Sequence, residues 1–325
     1  MATSPGTSPG TSPGTGPGTG TGTGTGTSTG VLVGYDGSPD SEKALRWAAE
    51  EARLRRLDLL ICHSWRWPYP KDYVDDAVKA TIERLGANLL NEGVARARRL
   101  VPSVKVHKRL MTGPAYAALD LCAPEAELMI VGSHERNELP AASTALQLPA
   151  RSHRPVVVVR RSPTARNRVV AGVDGSSGGD AALALAFEEA ALRDWDVLAV
   201  YGYWEPAAFI GTDLAGLSDP TELKHACATR LEGAVAPWRV KYPQVEVHTQ
   251  LVPRGPREAL LDAVQTADLL VVGDRGRGGL DPLLLGATTS AMLQLAPCAV
   301  AVVPSPASFG TKGPRALRPT APTDG

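Results

Sequence analysis

Val31-Leu-Val-Gly-Tyr-Asp-Gly-Ser38 returns as Val169-Val-Ala-Gly-Val-Asp-Gly-Ser176, and this recurrence decides how the chain is read. Asp36 and Asp174 stand 138 positions apart, as do Glu50 and Glu188, Asp58 and Asp196, and Pro68 and Pro206. A register held that long marks a duplication. Further on, Ala126-Glu-Leu-Met-Ile-Val-Gly132 matches Ala267-Asp-Leu-Leu-Val-Val-Gly273, and Pro155-Val-Val-Val-Val159 matches Ala299-Val-Ala-Val-Val303. The copies are placed at 31–160 and 169–304, with a linker at 161–168.

Within the second copy, Val169–Val173 is a short β-rich run that stops at the turn Asp174-Gly-Ser-Ser. Ala181–Arg193 has apolar residues at helical spacing, and Asp196–Tyr201 is the next apolar run. A long helix is predicted over about 220–238, a strand over Val245–Val252 and a short helix over Pro256–Gln265. Leu269–Gly273 and Ala299–Val303 read as buried strands, with a helix at Thr288–Leu295 between them. Strands and helices alternating at this spacing predict βαβ units and a parallel sheet covered on both faces. Continuous apolar strands agree with burial on both sides. The fold class is therefore α/β: two tandem doubly wound, Rossmann-like domains, each with five parallel strands.

Composition sets outer bounds. The chain has 325 residues, 43% of them hydrophobic, and Lys+Arg equals Asp+Glu at 34 each. A length of this order predicts about two domains. A balanced charge gives no reason to expect nucleic acid or an anionic membrane as partner. Residues 1–30 are Thr, Ser, Pro and Gly in short repeats, and the end from about Ser305 is rich in Pro, Ala and Thr. Such segments bury too little apolar area to offset their ordering entropy, so both are expected to be disordered tails. No apolar run suits a membrane helix, and the N-terminus lacks the pattern of a secretory signal. Cys62, Cys122, Cys227 and Cys298 form no CxxC pair and read as buried free thiols, which fits a reducing, cytoplasmic setting.

The richest chemistry lies in Val272-Gly273-Asp-Arg-Gly276-Arg-Gly278-Gly279-Leu-Asp-Pro-Leu-Leu-Leu-Gly286-Ala-Thr288-Thr289. It follows a buried strand and leads into a helix. Glycines there let several backbone N–H groups turn toward one point, and a helix start favours an anion. Arg275 and Arg277 can add charge-assisted hydrogen bonds. The fitting ligand is a polyphosphate; a surface loop with solvated arginines is the plainer alternative. A Walker A loop is excluded, because no Gly-Lys-Ser/Thr is present.

This segment resembles the ATP motif of the universal stress protein family: Gly-x-x-Gly, nine residues, then Gly-Ser/Thr. Gly273 and Gly276 form the first pair, and Gly286 follows after nine residues. The resemblance takes in the opening strand with its Asp, the apolar second strand and the closing Val-rich strand, in both copies. It implies an adenine-nucleotide α-hydrolase-like fold and ATP, with Mg²⁺, as ligand. Asp174, after Gly172 and Val173, takes the place of the family's acid beside the nucleoside. Backbone at Val200–Gly202 corresponds to the strip along the adenine edge. Val272, Gly273, Arg275, Gly276, Arg277, Gly286, Ala287, Thr288 and Thr289 would hold ribose and phosphates. Ala287 stands where the family has Ser or Thr, leaving Thr288 or Thr289 to supply an oxygen. Asp274 must point away from the phosphates or help hold the metal. The resemblance also implies that Val156–Val159 and Ala299–Val303 pair across the two copies as a pseudo-dimer, and it leaves room for a homodimer.

The first copy departs from the motif. Its loop is three residues shorter, Glu135 and Ala142 replace glycines, and Glu138 adds a negative charge. No ATP is expected there, and Asp36 alone is common turn punctuation. Six dispersed histidines show no metal-ligand spacing, and no Gly-x-Ser-x-Gly elbow appears. Trp65, Trp67, Tyr69, Tyr203 and Trp204 follow the second strands and either cover the sheet or stack on a base. Three functions stand open: a nucleotide-responsive stress or signalling protein with an unidentified protein partner, a slow ATPase or phosphotransferase, and a ligand-independent interaction module.

Overall fold

The computed structural model describes residues 30–67, 75–133, 143–161, 163–203, 220–276 and 285–306. The tails expected at 1–30 and 305–325 therefore lie outside the described residues, apart from Gly30, Ser305 and Pro306.

The first copy runs β1 (Gly30–Gly34), α1 (Pro39–Arg55), β2 (Asp58–Trp65), α2 (Asp76–Leu100), β3 (Val106–Thr112), α3 (Ala115–Cys122), β4 (Ala126–Gly132), α4 (Thr144–Arg151) and β5 (Val156–Val159). The second runs β6 (Arg168–Gly172), α5 (Ser177–Arg193), β7 (Asp196–Gly202), α6 (Pro220–Lys241), β8 (Val247–Val252), α7 (Pro256–Ala263), β9 (Leu269–Gly273), α8 (Ala287–Leu295) and β10 (Ala299–Val303). One ten-stranded sheet carries them in the order β3-β2-β1-β4-β5-β10-β9-β6-β7-β8. Each copy supplies five parallel strands. Only the junction is antiparallel, with Val158 opposite Val300 and Val156 opposite Val302. The expected pairing of the two closing strands is present, and it fuses the two five-stranded sheets into one.

The strands are apolar along their whole length because helices cover both faces. One layer packs Val31, Val33 and Ile61 with Leu45 and Ala48 of α1, and Val169 and Val271 with Leu183 and Phe187 of α5. The other packs Leu32, Met129 and Val158 with Leu119 and Leu148, and Val170 and Val300 with Leu260 and Met292. Phe187 also stacks with Trp238 of α6, ring centroids 6.1 Å apart.

Helix α5 begins at Ser177, four residues before the start read from apolar spacing. The Ser176 hydroxyl accepts from the Gly179 amide at 3.1 Å, so the cap fixes the start although Gly178 and Gly179 are poor helix formers. Ser38 caps α1 in the same way. Helix α6 continues to Lys241, past the predicted end near Trp238. The connection after β5 is fastened rather than loose: the Thr164 and Asn167 amides both donate to buried Asp268. Arg160 reaches the α8 C-terminus and donates to Leu293 and Gln294 carbonyls, where the helix dipole favours a cation.

Where α1 meets α5, the duplication places a buried charge cluster on itself. Glu51 and Glu189 are equivalent positions, as are Arg55 and Arg193. The Arg193 guanidinium donates to Glu51, and that of Arg55 donates to Glu51, Glu188 and Glu189. Glu51 and Glu189 are almost fully buried. Burial opposes the Glu51 charge, but the Arg193 and Arg55 guanidiniums outweigh it and its pKa falls. Burial, then the Glu51 charge, pushes Glu189 up to about 8. The pair thus shares one proton at neutral pH.

Above the ordinary glutamate value of 4.5 the unfolded chain releases this proton while the folded chain keeps it. Stability therefore falls as pH rises until the folded pair also lets go, near 8. Urea unfolding across that window should show the decline in the wild type and a much flatter profile in Glu189→Gln, which retains a donor but cannot ionise. Glu51→Ala takes the near acceptor from buried Arg193 and one of three carboxylates from buried Arg55, and is expected to cost about 3–5 kcal/mol.

Candidate functional site

In each half the strand order reverses beside the first strand, between β1 and β4 and between β6 and β9. In open α/β sheets ligands bind at the carboxyl ends of strands at such a switch point. The loops after β6 and β9 and the start of α8 meet there in the second half.

Gly172 ends β6, and Val173 is tied into the sheet by its amide bond to the Val200 carbonyl at 2.9 Å. Asp174 then turns its Oδ1 back to accept from the Ser176 amide and hydroxyl, at 2.9 and 2.6 Å. Its Oδ2 faces Gly276, where a Cβ would come within 2.4 Å of it. On the other strand, a Cβ on Gly273 would lie 2.7 Å from the Gly178 backbone. One on Gly178 would lie 2.5 Å from the Arg275 carbonyl. Two glycines from distant segments thus let α5 press against the end of β9. Gly178 escapes a motif-based reading; its signal is the Gly-Gly pair at a position where the first half has Asp40-Ser41.

The Asp274 amide bonds to Val303, and its carbonyl accepts from the Gly286 amide at 2.9 Å, which brings the two ends of the glycine loop together. Its carboxylate is buried, accepting from the Ser305 amide at 2.9 Å and lying 3.1 Å from the Arg275 guanidinium. Of the two roles open to it, pointing away is the one found. Arg275 lies against Asp274, its guanidinium 3.1 Å from that carboxylate. Thr289 is also committed: its hydroxyl donates to the Gly273 carbonyl at 2.7 Å. That leaves half-buried Thr288 as the hydroxyl beside Ala287. Helix α8 has Gly286 as its N-cap and no side-chain cap, so its first amides are not closed off by a side chain. Arg277 lies outside the described residues.

Val200 and Val272 have buried side chains that pack in the core. Gly202 is confined by the backbone of Arg254 and Pro256, within 2.9 Å of where its Cβ would stand. Along β7, then, the Val200 carbonyl already serves the sheet, and Gly202 is required by packing. The structure brings Asp174, Gly273, Gly276, Gly286 and Ala287 to one place, with Val200 and Gly202 on the adjacent strand.

These groups fit an anion carried by a nucleoside: glycine backbone, an uncapped helix start and one carboxylate on the β6 side. Burial, then the Asp174 charge, raises the Asp180 carboxyl. No group of three His, Cys, Asp or Glu among the described residues could cage a metal.

The first half has its own cleft at the matching place, of about 140 Å³. Tyr35, Asp36, His63, Ser133 and Thr144 help line it. Gly132 repeats the close packing, with a Cβ position 2.6 Å from the Asp40 backbone. Glu135, Glu138 and Ala142 lie outside the described residues. So do Tyr69 and Trp204, while Trp65 is buried.

The universal stress protein family matches residues 29–160 and again 165–304. The universal stress protein Rv2623 of Mycobacterium tuberculosis is 28% identical over 295 residues, spanning 82% of this chain and 93% of that protein. Rv2005c from the same organism is 31% identical over 288 residues, spanning 82% and 94%. A universal stress protein structure from Archaeoglobus fulgidus superposes with a TM-score of 0.65 at 17% identity, covering 86% of this chain and 97% of that one. No described helix is long and apolar enough to cross a membrane. Matched twice along its length, the chain belongs to the universal stress protein family as a tandem of two family units.

Proposed function

We propose that the second unit binds ATP with Mg²⁺ and that the protein acts as a nucleotide-responsive stress or signalling protein of the cytoplasm. What carries this reading is the convergence of Asp174, Gly276 and the uncapped start of α8 at the β6/β9 switch point. Asp174 would meet the ribose, and the glycine backbone with the α8 amides would take the phosphates. Mg²⁺ would ride on the phosphates, since Asp274 is turned to Ser305 and Arg275. Bound nucleotide changes the protein's state only by its differential affinity for two states. Phosphoryl transfer needs positive charge at the transferring group. Arg275 is held by Asp274, which disfavours the ATPase reading.

A second reading has its own support. Ala287 replaces a hydroxyl residue, and Thr289 is spent on Gly273, so a vestigial site in an interaction module agrees with those two facts.

Calorimetry of the whole chain with ATP and Mg²⁺ separates the two. The expected result is one ATP per chain. Gly276→Val should weaken binding at least about tenfold, because its side chain displaces Asp174 and fills the backbone approach. Among the described residues the Cβ there meets only Asp174, so the fold should survive. Two ATP per chain would overturn the assignment to one unit, and none would favour the interaction module. Asp174→Asn retains the turn acceptor for Ser176 but loses the charge. It should weaken ATP by about 1.5–3 kcal/mol while leaving thermal stability nearly unchanged.

A further inference from the structure

The first unit contains a thiol pair that the fold does not require. Cys62 lies on β2 and Cys122 ends α3, sixty residues later in the chain. The two thiols are neighbours in one buried apolar layer, and each shifts the other's ionisation. Arg109 sits opposite Cys62 in the β2–β3 register, and its guanidinium reaches the Cys122 sulfur at 3.8 Å. Glu125 accepts two hydrogen bonds from the same guanidinium and holds it in place.

The duplication supplies an internal control. The register partner of Gly172 on β7 is Val200, where the first unit pairs Gly34 with Cys62. Opposite Val200 stands Gln250 in place of Arg109. Helix α7 ends on Ala263 in place of Cys122, and Thr266 follows in place of Glu125. All four members of the cluster are thus replaced by uncharged, thiol-free residues in a unit of the same fold.

Cys62, and after it Arg109, favours a thiolate at Cys122. Cys62 is shifted the other way, by Cys122 and by burial, and keeps its proton. Burial raises the Cys227 and Cys298 thiols as well, which makes them unreactive. Cys62 and Cys122 are 3% and 1% exposed, so bulky reagents are kept out. Cys62 and Leu119, one turn before Cys122 on α3, are nevertheless part of the wall of the 140 Å³ cleft, so peroxide that enters it comes within one side chain of Cys122.

We propose that Cys62 and Cys122 form a peroxide-oxidisable dithiol, guided by Arg109, that closes to a disulfide in the wall of the first-unit cleft. The Cys122 thiolate attacks one oxygen of hydrogen peroxide, the O–O bond breaks, and hydroxide leaves. Cys122 becomes a sulfenic acid. The hydroxide takes the Cys62 proton and departs as water. The Cys62 sulfur then attacks the Cys122 sulfur and expels the second oxygen, which leaves as water after taking up a proton. Two thiols lose two electrons, and one peroxide becomes two waters. The bridge ties the end of α3 to β2 beside Tyr35 and His63, at the place where this unit would hold a ligand.

The test is peroxide treatment of the full chain, alkylation after denaturation, and peptide mapping without reductant. A Cys62–Cys122 bridge with Cys227 and Cys298 alkylated is expected. Cys62→Ser should leave Cys122 as a sulfenic acid that dimedone labels when it is present as the oxidised chain is denatured. Arg109→Gln, which installs the residue found at the same place in the second unit, should slow bridge formation about tenfold or more at neutral pH. Recovery of Cys62 and Cys122 as free thiols would overturn the proposal, as would bridges through Cys227 or Cys298. A bridge formed by Arg109→Gln at the wild-type rate would overturn the role given to Arg109.

Discussion

The antiparallel contact of Val156–Val159 with Ala299–Val303 is the constraint from which the rest of the architecture follows. A five-stranded parallel sheet of this kind has an apolar closing strand at its edge, and an uncovered edge of that sort invites association. Here each unit covers the edge of the other. A two-fold relation between the units results, and it brings α1 against α5 on one face and α4 against α8 on the other. Because equivalent helices meet, equivalent residues meet, which is why Glu51 finds Glu189 and why Arg55 and Arg193 cross between them. The buried charge cluster is a consequence of self-contact in a duplicated chain.

Much of this was legible in the sequence. The 138-residue offset identified the units, and the apolar runs at Leu269–Gly273 and Ala299–Val303 are strands with those limits. Helix starts were less legible. Apolar spacing begins at Ala181, but Ser176 sets the start of α5 through its hydroxyl and overrides two glycines. Long-range polar contacts left no pattern to read. No sequence pattern marks Glu51 and Glu189 as buried, and Cys62 and Cys122 are too far apart in sequence for spacing to link them.

The proposed nucleotide site divides in the same way. Gly273, Gly276 and Gly286 are visible as a motif, and the structure gathers them around Asp174. Which side chains remain for a ligand depends on partners that only the fold supplies. Asp274 turns to Ser305, Thr289 to Gly273, and Arg275 to Asp274, so the polar character of the loop overstates the side chains offered to a phosphate. Among the described residues, what is left is mostly backbone and a helix start, a sound basis for holding an anion and a poor one for chemistry upon it. The two units have thus kept one frame and diverged at the same end of the sheet, one toward a glycine cradle and the other toward a thiol pair beside a cleft.

The most direct test is amide hydrogen exchange on the whole chain with and without ATP and Mg²⁺. The account predicts added protection in the peptides spanning 172–179 and 272–290 and little change at 132–145. Protection centred on 132–145, or no protection in either unit, would contradict it.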